Sequence, residues 1–456
     1  MSTHVLVIGG GISGLAAARH LTTLGHRVTL VEQSRRLGGK IRTKQFAGAA
    51  IETGAESFLA RRPEAIALAS ELGLCDDLVH PSGLASALAV GNELHDMPTG
   101  TIMGIPAKAE SAAHVLSAES RERIDTEPVE TAPLLGENDD IAVGELVAKR
   151  YGIEVARTLV DPLIGGVYAG SSDGLSLRAT IPALAGAAEH SHSLAQAVSS
   201  CLPQGPAKGR PVFASIRGGL SRLVDRLAAT CGADVRLGAT VRKLERTATG
   251  WIAVTGPTVH TENIEADAVV LAVPAKPASR LLGEVDAGAA SEVGQLDYAN
   301  VGIVTMAFGT GALPERSGVL VPATQGYQMK AATFLTRKWP HHASQGRQLV
   351  RVSYGRFGDS GVLQREDDSL IHLAKQELSQ VVGATLPEPS EAAVTRWGGG
   401  LPQYGPGHQA RIRRARQRLA PHPIALAGAA FDGVGIPACI ASGTAAAHAL
   451  AAKPGY

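Results

Sequence analysis

Cysteine is scarce: Cys75, Cys201, Cys231 and Cys439 are spread over 456 residues, with no C-x-x-C and no Cys/His cluster. That excludes a disulfide framework and a structural zinc site, and it suits a reducing, cytoplasmic setting. Net charge is nearly absent as well. At +1, the chain offers no global attraction for nucleic acid, so any anionic ligand must be met by local cations. The longest uncharged run, Gly433 to Ala452, is cut by Gly433, Gly435, Pro437, Ser442, Gly443 and Thr444. It reads as a loop entering a buried helix, with no membrane span. The first residues show no basic n-region before a strand-like run, which is not the pattern of a signal peptide. Repeats and low-complexity tracts are missing too. No Ser/His/Asp set, paired carboxylates or metal-ligand spacing stands out, so neither a catalytic side chain nor a metal is expected.

What remains is an ordinary globular composition, 45% apolar and 19% charged, long enough for two or three domains. Val5-Leu6-Val7-Ile8 reads as a buried parallel strand. Gly9-Gly10-Gly11-Ile12-Ser13-Gly14 follows and satisfies G-x-G-x-x-G. Apolar residues at helical spacing then lead to Gly25. A second strand, Val28-Thr29-Leu30-Val31, ends on Glu32, 23 residues after Gly9. Glycines in the first turn let a pyrophosphate approach the backbone, the helix N-terminus offers N–H groups, and the acid can accept from ribose hydroxyls. Gln33 is next to it. Strand, turn, helix and acid together argue for a dinucleotide site; a plain β–turn–α unit is the alternative.

Gly38-Gly39-Lys40 follows within eight residues of Glu32, close enough to bring a cation to a phosphate, although a solvated surface turn would look similar. A further turn, Gly54-Ala55-Glu56-Ser57, is placed to approach the same ligand. Residues 64 to 79 read as a helix, 84 to 105 as short strands, and 107 to 200 as mainly helical, most clearly Val143 to Leu163. Strand-like runs return at Val235 to Val241, Ala266 to Pro274, Val301 to Phe308, Leu349 to Tyr354 and Ile424 to Gly428. Helices are expected around Leu370 to Val382 and from about Ile440.

From end to end the chain resembles the flavin-dependent porphyrinogen oxidases of haem synthesis, closest to the Gram-positive coproporphyrinogen III oxidases. The resemblance rests on Gly9 to Gly14 with Glu32, Leu37 to Ile41, Gly54 to Leu59, Met97-Pro98 to Pro106 and Asp161 to Gly170. It also rests on Lys338-Trp339-Pro340-His341, Arg396-Trp397 with Pro402-Gln403-Tyr404, and Gly433 to Ile440. One departure is Ala438, where the family often has an aspartate.

The resemblance implies an α/β fold: a Rossmann-like FAD-binding domain of the amine-oxidase/porphyrinogen-oxidase superfamily, a mixed-sheet substrate domain and a helical insertion. The expected FAD-binding domain comprises 1–80, 210–275 and 400–456, the substrate domain 81–106 and 276–399, and the insertion 107–209. FAD would be non-covalent, since the surroundings of Cys439 do not resemble an attachment motif. It would be held by Gly9, Gly10, Gly11, Ile12, Ser13, Gly14, Glu32, Gln33, Lys40, Gly54, Ala55, Glu56, Ser57, Val241, Trp397, Gly435, Ile436 and Pro437. Arg62, then Arg61, would meet substrate propionates, a solvated pair at a helix start being the alternative, and Tyr168, Trp339 and Tyr404 would line an apolar pocket for the macrocycle or each simply belong to the core.

The implied reaction is six-electron oxidation of coproporphyrinogen to coproporphyrin in three flavin cycles, with molecular oxygen as acceptor and hydrogen peroxide as product. Partners beyond porphyrinogen and oxygen would be confined to transient contact with other haem-pathway enzymes and, at most, peripheral membrane contact. Protoporphyrinogen oxidation, another flavin oxidase of amines or carotenoid precursors, and a flavin-free binder like the GDP-dissociation inhibitors are the alternatives.

Overall fold

The computed structural model describes residues 3–203, 211–257, 259–311 and 313–452. Five parallel strands form one sheet, in the order Asp234–Leu237, Arg27–Glu32, His4–Ile8, Ala268–Leu271, Ile424–Leu426. The three inner strands, Arg27–Glu32, His4–Ile8 and Ala268–Leu271, are short, largely apolar and covered on both faces, whereas the edge strand Asp234–Leu237 is mostly exposed. His4–Ile8 lies at the point where the strand order reverses, so the crevice at its carboxyl end is where such sheets take ligands. Between Asp234–Leu237 and Ala268–Leu271 the chain forms an antiparallel meander, Val241–Arg246, Trp251–Thr255 and Glu262–Ala266. The sequence reading had resolved only its beginning and its end.

Two helices cross above this sheet, Ile12–Thr23 and Ile436–Ala451. Their contact is backbone on backbone: a Cβ built on Gly443 would lie 2.1 Å from the Ser13 carbonyl oxygen. The second helix starts at Ile436, four residues before the expected Ile440. Gly435, at φ +100°, turns the chain into it, and Pro437 sits in the first turn, where its missing N–H is no loss.

A seven-stranded mixed sheet stands beside the first. Its order is Glu391–Gln403, Asp297–Phe308, Gln348–Tyr354, Ala331–Phe334, Gly318–Leu320, Ser86–Val90, Glu93–Asp96, and Gly318–Leu320 with Ser86–Val90 is its parallel pair. Strand Glu391–Gln403 runs straight through the boundary drawn between 399 and 400. The boundary drawn between 209 and 210, like the ends at 1 and 456, lies outside the described residues. Val350, Val352, Tyr354, Ala332 and Phe334 are fully covered on one face, where helix Asp367–Val382 packs. On the other face Arg351, Ser353, Ala331 and Thr333 stay half-buried although their strands are central. That face is open.

Short helices fill 109–201. The expected helix Val143 to Leu163 is interrupted: Gly152 at φ +96° closes Val143–Tyr151, and a π-helical turn, Ala156–Val160, precedes Asp161–Tyr168. The helix expected over 64–79 stops at Glu71, because Gly73 adopts φ +70°, and is followed by a 3₁₀ turn and strand Leu78–Val79. Among the described residues, no helix is long and apolar enough to cross a membrane.

Replacing a mid-helix glycine by alanine ordinarily stabilises a helix by about 1 kcal/mol. At Gly443 the sign reverses, because the new methyl meets a carbonyl oxygen that neither helix can withdraw alone. Gly443→Ala should destabilise the protein by roughly 1–3 kcal/mol. A thermal melt unchanged or raised by the substitution would contradict this packing.

Candidate active site

The site begins at the end of strand His4–Ile8. Gly9 turns the chain at φ +111°, and a Cβ there would lie 2.4 Å from the Ala272 oxygen. On Gly14 it would lie 1.9 Å from the Gly9 oxygen, so the turn admits no side chain at either place. Gly11 differs: nothing lies within 4 Å of where its Cβ would stand. Ile12, Ser13 and Gly14 precede the first helical hydrogen bond, Leu15 N–H to Gly11 O, so their N–H groups face that open space unclaimed by the helix. Glu32 is oriented rather than free to swing, since its carboxylate accepts from the N–H of Gly10 and of Ser34, both at 2.8 Å. Gln33 beside it is exposed. Val241 opens the meander just after Gly238, whose N–H donates to Ser34 O.

The Gly38-Gly39-Lys40 loop is laid directly on this turn. Gly38 N–H donates to Gly10 O at 2.8 Å, and the Arg36 guanidinium holds the carbonyls of Leu37, Gly39 and Ile41. Lys40 is half-buried and forms no ion pair among the described residues; its Nζ sits 5.6 Å from the centre of the Tyr298 ring. Burial lowers its pKa, offset in part by the neighbouring Cys439. Cys439, with a thiol pushed up by burial and bonded toward Ser13, joins the start of Ile12–Thr23 to the start of Ile436–Ala451. Two helix N-termini and one unpaired cation thus share a neighbourhood, a field that favours an anion. Gly435, Ile436 and Pro437 form the second of those termini. Ala438 in its first turn leaves it without a carboxylate.

Across the crevice, Gly54 touches Lys40 as closely as backbone can: a Cβ would lie 2.0 Å from the Lys40 oxygen. Ala55 N–H donates to that same oxygen at 3.1 Å, and the Trp397 indole N–H donates to Thr53 O at 2.6 Å. The loop therefore ties the glycine-rich turn to the seven-stranded sheet. Glu56 completes the tie. Its carboxylate accepts from Lys338 Nζ (2.6 Å), Trp339 Nε1 (3.0 Å) and Arg351 Nη1 (3.0 Å), while Arg351 also reaches Gly54 O at 3.2 Å. Burial alone would raise the pKa of Glu56, but Lys338 and Arg351 outweigh it and hold the group at about 2.

Three expectations change here. Glu56 is spent on protein cations, so its side chain is a clasp between sheets and does not reach for cofactor. Trp339 is 2% exposed and belongs to that clasp, not to an apolar pocket wall. Arg62 pairs with Glu64 at 2.6 Å at the head of helix Pro63–Glu71, and Arg61 is exposed on the same turn, so the expected propionate pair has its leading guanidinium already engaged. Tyr168 is 6% exposed and meets Tyr404 edge-on at 5.8 Å. Tyr404 in turn stacks on His408 at 4.4 Å and donates its hydroxyl to Ala429 O, which makes it core. Sequence reasoning overlooked Tyr298, Arg351 and Ser353. Strand alternation carried a signal for the last two: Arg351 and Ser353 are polar at alternate positions between apolar neighbours.

Below the Gly54 loop a small polar recess is lined by Glu52, Glu56, Ser215, Trp339, His341 and His342. Glu52 Oε1 accepts from Leu220 N–H (2.6 Å) and Thr43 Oγ1 (2.9 Å), whereas buried Oε2 has no partner, nor has His341 Nδ1. Burial pushes the pKa of Glu52 up to about 7, against the pull of those hydrogen bonds and of Arg351, and with the help of Glu56. His341 is pushed down by burial to about 4 and stays neutral. A carboxyl raised in the folded state binds more protons folded than unfolded between about pH 4.5 and about 7. Its contribution is therefore complete below that window and lost as pH rises through it. Glu52→Gln should abolish that loss, stabilising the protein at pH 8 relative to wild type by up to roughly 3 kcal/mol and by little at pH 4.5. Parallel melting curves for the two proteins across pH 4.5–8 would refute the assignment.

Comparison with known proteins agrees with this geometry. The family model for flavin containing amine oxidoreductases matches residues 12–451. A coproporphyrinogen III oxidase of Mycobacterium leprae is 38% identical over 98% of both chains, and one of Bacillus subtilis 34% identical over 97% of both. A solved structure from Exiguobacterium, named as a candidate protoporphyrinogen oxidase, superposes with a TM-score of 0.87 at 30% identity over 99% of each chain. With a family model matched over nearly its whole length, the chain belongs to the flavin containing amine oxidoreductases.

Proposed function

We propose that this protein oxidises coproporphyrinogen III to coproporphyrin III with FAD, removing six electrons in three rounds and passing them to oxygen. The observation that carries the reading is the pairing of a dinucleotide turn with an open sheet face across Gly54 and Trp397, in a chain whose similar relatives are named coproporphyrinogen III oxidases. In this reading the N–H groups at Gly11 to Gly14 and the Lys40 ammonium hold the pyrophosphate, and Glu32 receives ribose hydroxyls. Val241 lies on the adenine side. Gly54, Trp397 and the helix start at Gly435-Ile436-Pro437 border the flavin ring. The empty space at Gly11 and the unpaired Lys40 fit such a group.

Bound flavin supplies the electron acceptor; the side chains orient and enclose. The face formed by Ala331, Thr333, Arg351 and Ser353, with Trp397 bordering it, is weakly polar and suited to a flat macrocycle. Carboxylates near it are engaged: Glu56 holds two cations, which leaves that cluster one positive charge in surplus to attract propionates. Among the described residues, the side chains of that face include no carboxylate or imidazole, and in this reading the substrate proton is lost to solvent.

Lys40→Met removes one charge-assisted contact, worth roughly 1.5–3 kcal/mol. FAD should dissociate about ten- to a hundredfold more readily, read by titrating apoprotein, while the fold melts within a few degrees of wild type. The function itself is tested by anaerobic bleaching of the bound flavin with coproporphyrinogen III and protoporphyrinogen IX in separate cuvettes. Rapid bleaching by the first, then coproporphyrin fluorescence on admitting air, is the expected result. Preference for the second would move the enzyme to the other substrate, and bleaching by neither would reject the proposal.

A further inference from the structure

Phe213 and Phe357 are the large aromatic side chains left exposed among the described residues, and Phe357, at 47%, is the one attached to the open sheet face. It lies in Gly355-Arg356-Phe357-Gly358-Asp359, the turn that leaves strand Gln348–Tyr354 next to Ser353. An exposed phenylalanine on a loose loop would mean little. This loop is not loose. Arg356 donates to the carbonyls of Val321, Tyr327, Gln328 and Met329, and Arg356 and Asp359 bridge each other's backbones. Gly355 is wedged at φ +86° so that a Cβ would lie 2.4 Å from the Asn300 oxygen.

The backbone at Phe357 is also held. Phe357 N–H donates at 2.6 Å to the carbonyl of Ala169, which ends helix Asp161–Tyr168 in a left-handed turn. Ala169 belongs to a small apolar cluster with Ala299, Val301 and Ile303, against which Trp397 and Leu401 pack. Val167, on the last turn of the same helix, is 43% exposed. Trp397 packs on this cluster next to Gly54, and the backbone of Phe357 is tied to the same cluster at Ala169. A half-exposed aromatic ring leaves part of its burial unrealised, and it sits on a loop whose arginine is fully spent on carbonyls.

We propose that Phe357 is a substrate-positioning residue: an aromatic ledge on a fixed loop, on which the outer pyrroles of the porphyrinogen rest while the reacting edge faces Trp397. The proposal rests on the functional reading above and adds the surface that the macrocycle occupies. Charge does not explain the residue, since Arg356 is consumed by carbonyls. The ledge selects for a large, flat, apolar body, whichever side chains it carries.

The test uses the FAD-loaded full chain with Phe357→Ala, Phe357→Leu and Phe357→Trp. Two readouts are taken: KM and kcat for coproporphyrinogen III, and the dissociation constant of coproporphyrin III from quenching of its fluorescence. Removing the ring should raise both KM and the dissociation constant roughly tenfold, with kcat within about twofold of wild type. Leucine should fall between alanine and wild type, and tryptophan should bind at least as well as phenylalanine. FAD content and melting temperature should not move, because the ring is exposed. Unchanged affinity and KM in Phe357→Ala, with a wild type that binds porphyrin and turns over, would overturn this inference and leave the function standing. A wild type that neither binds coproporphyrin nor is bleached by coproporphyrinogen would remove the function, and the ledge with it.

Discussion

The structure depends on backbone packed against backbone at places where no Cβ fits. Gly14 against Gly9, Gly54 against Lys40 and Gly443 against Ser13 each leave about 2 Å for a side chain that would need more than 3 Å. These contacts draw four segments, distant in sequence, to the carboxyl end of one strand. Carbonyl and N–H groups brought together in this way are dipoles fixed by the main chain, with little left to reorganise when an anion arrives. Substitution at any of these glycines would therefore displace a helix or loop bodily, and with it the N–H groups at the heads of Ile12–Thr23 and Ile436–Ala451.

Side-chain electrostatics do a different job. Glu56 and Glu52 lie on the same chain segment around one recess, yet their states diverge. Glu56 faces two cations and is ionised throughout the physiological range; Glu52 has hydrogen-bond donors on one oxygen only and is raised by burial. The first joins the glycine-rich loop to strand Gln348–Tyr354, so the two sheets share one rigid joint beside Trp397. The second places a neutral or ionised carboxyl beneath the same loop according to pH. One carboxylate holding two cations avoids an uncompensated buried charge, and the cluster's remaining positive charge lies on the side of the open face.

The dinucleotide half was legible in the sequence because its signals are local. Runs such as Val5–Ile8 and Ala268–Leu271, glycines at fixed offsets and Glu32 after the second strand all follow from neighbours along the chain. What escaped was set by partners far away. Glu56 looked like a cofactor ligand until Arg351, 295 positions on, claimed it. Trp339 looked like a pocket wall until its indole N–H met the same carboxylate. At Arg62 the sequence left a propionate contact and a solvated pair at a helix start side by side, and the structure pairs it with Glu64, two residues away. The break at Gly152 and the early start at Ile436 were missed because glycine marks both helix ends and helix interiors, and only φ separates the two uses.

The seven-stranded sheet shows how a pocket can be built by leaving one face of a central strand uncovered. Val350, Val352 and Tyr354 take up the packing energy against helix Asp367–Val382, so Arg351 and Ser353 need not contribute to it. Alternation along a single strand thus separates stability from function residue by residue. Ser353 and Thr333 on the free face are small enough to leave room, and their hydroxyls can be solvated when no ligand is there. Such a surface orients a large substrate without offering a proton acceptor of its own. Where the redox chemistry comes from a bound flavin, that is sufficient: such a face has only to hold its ligand against the crevice, and the chemistry is supplied from the other side.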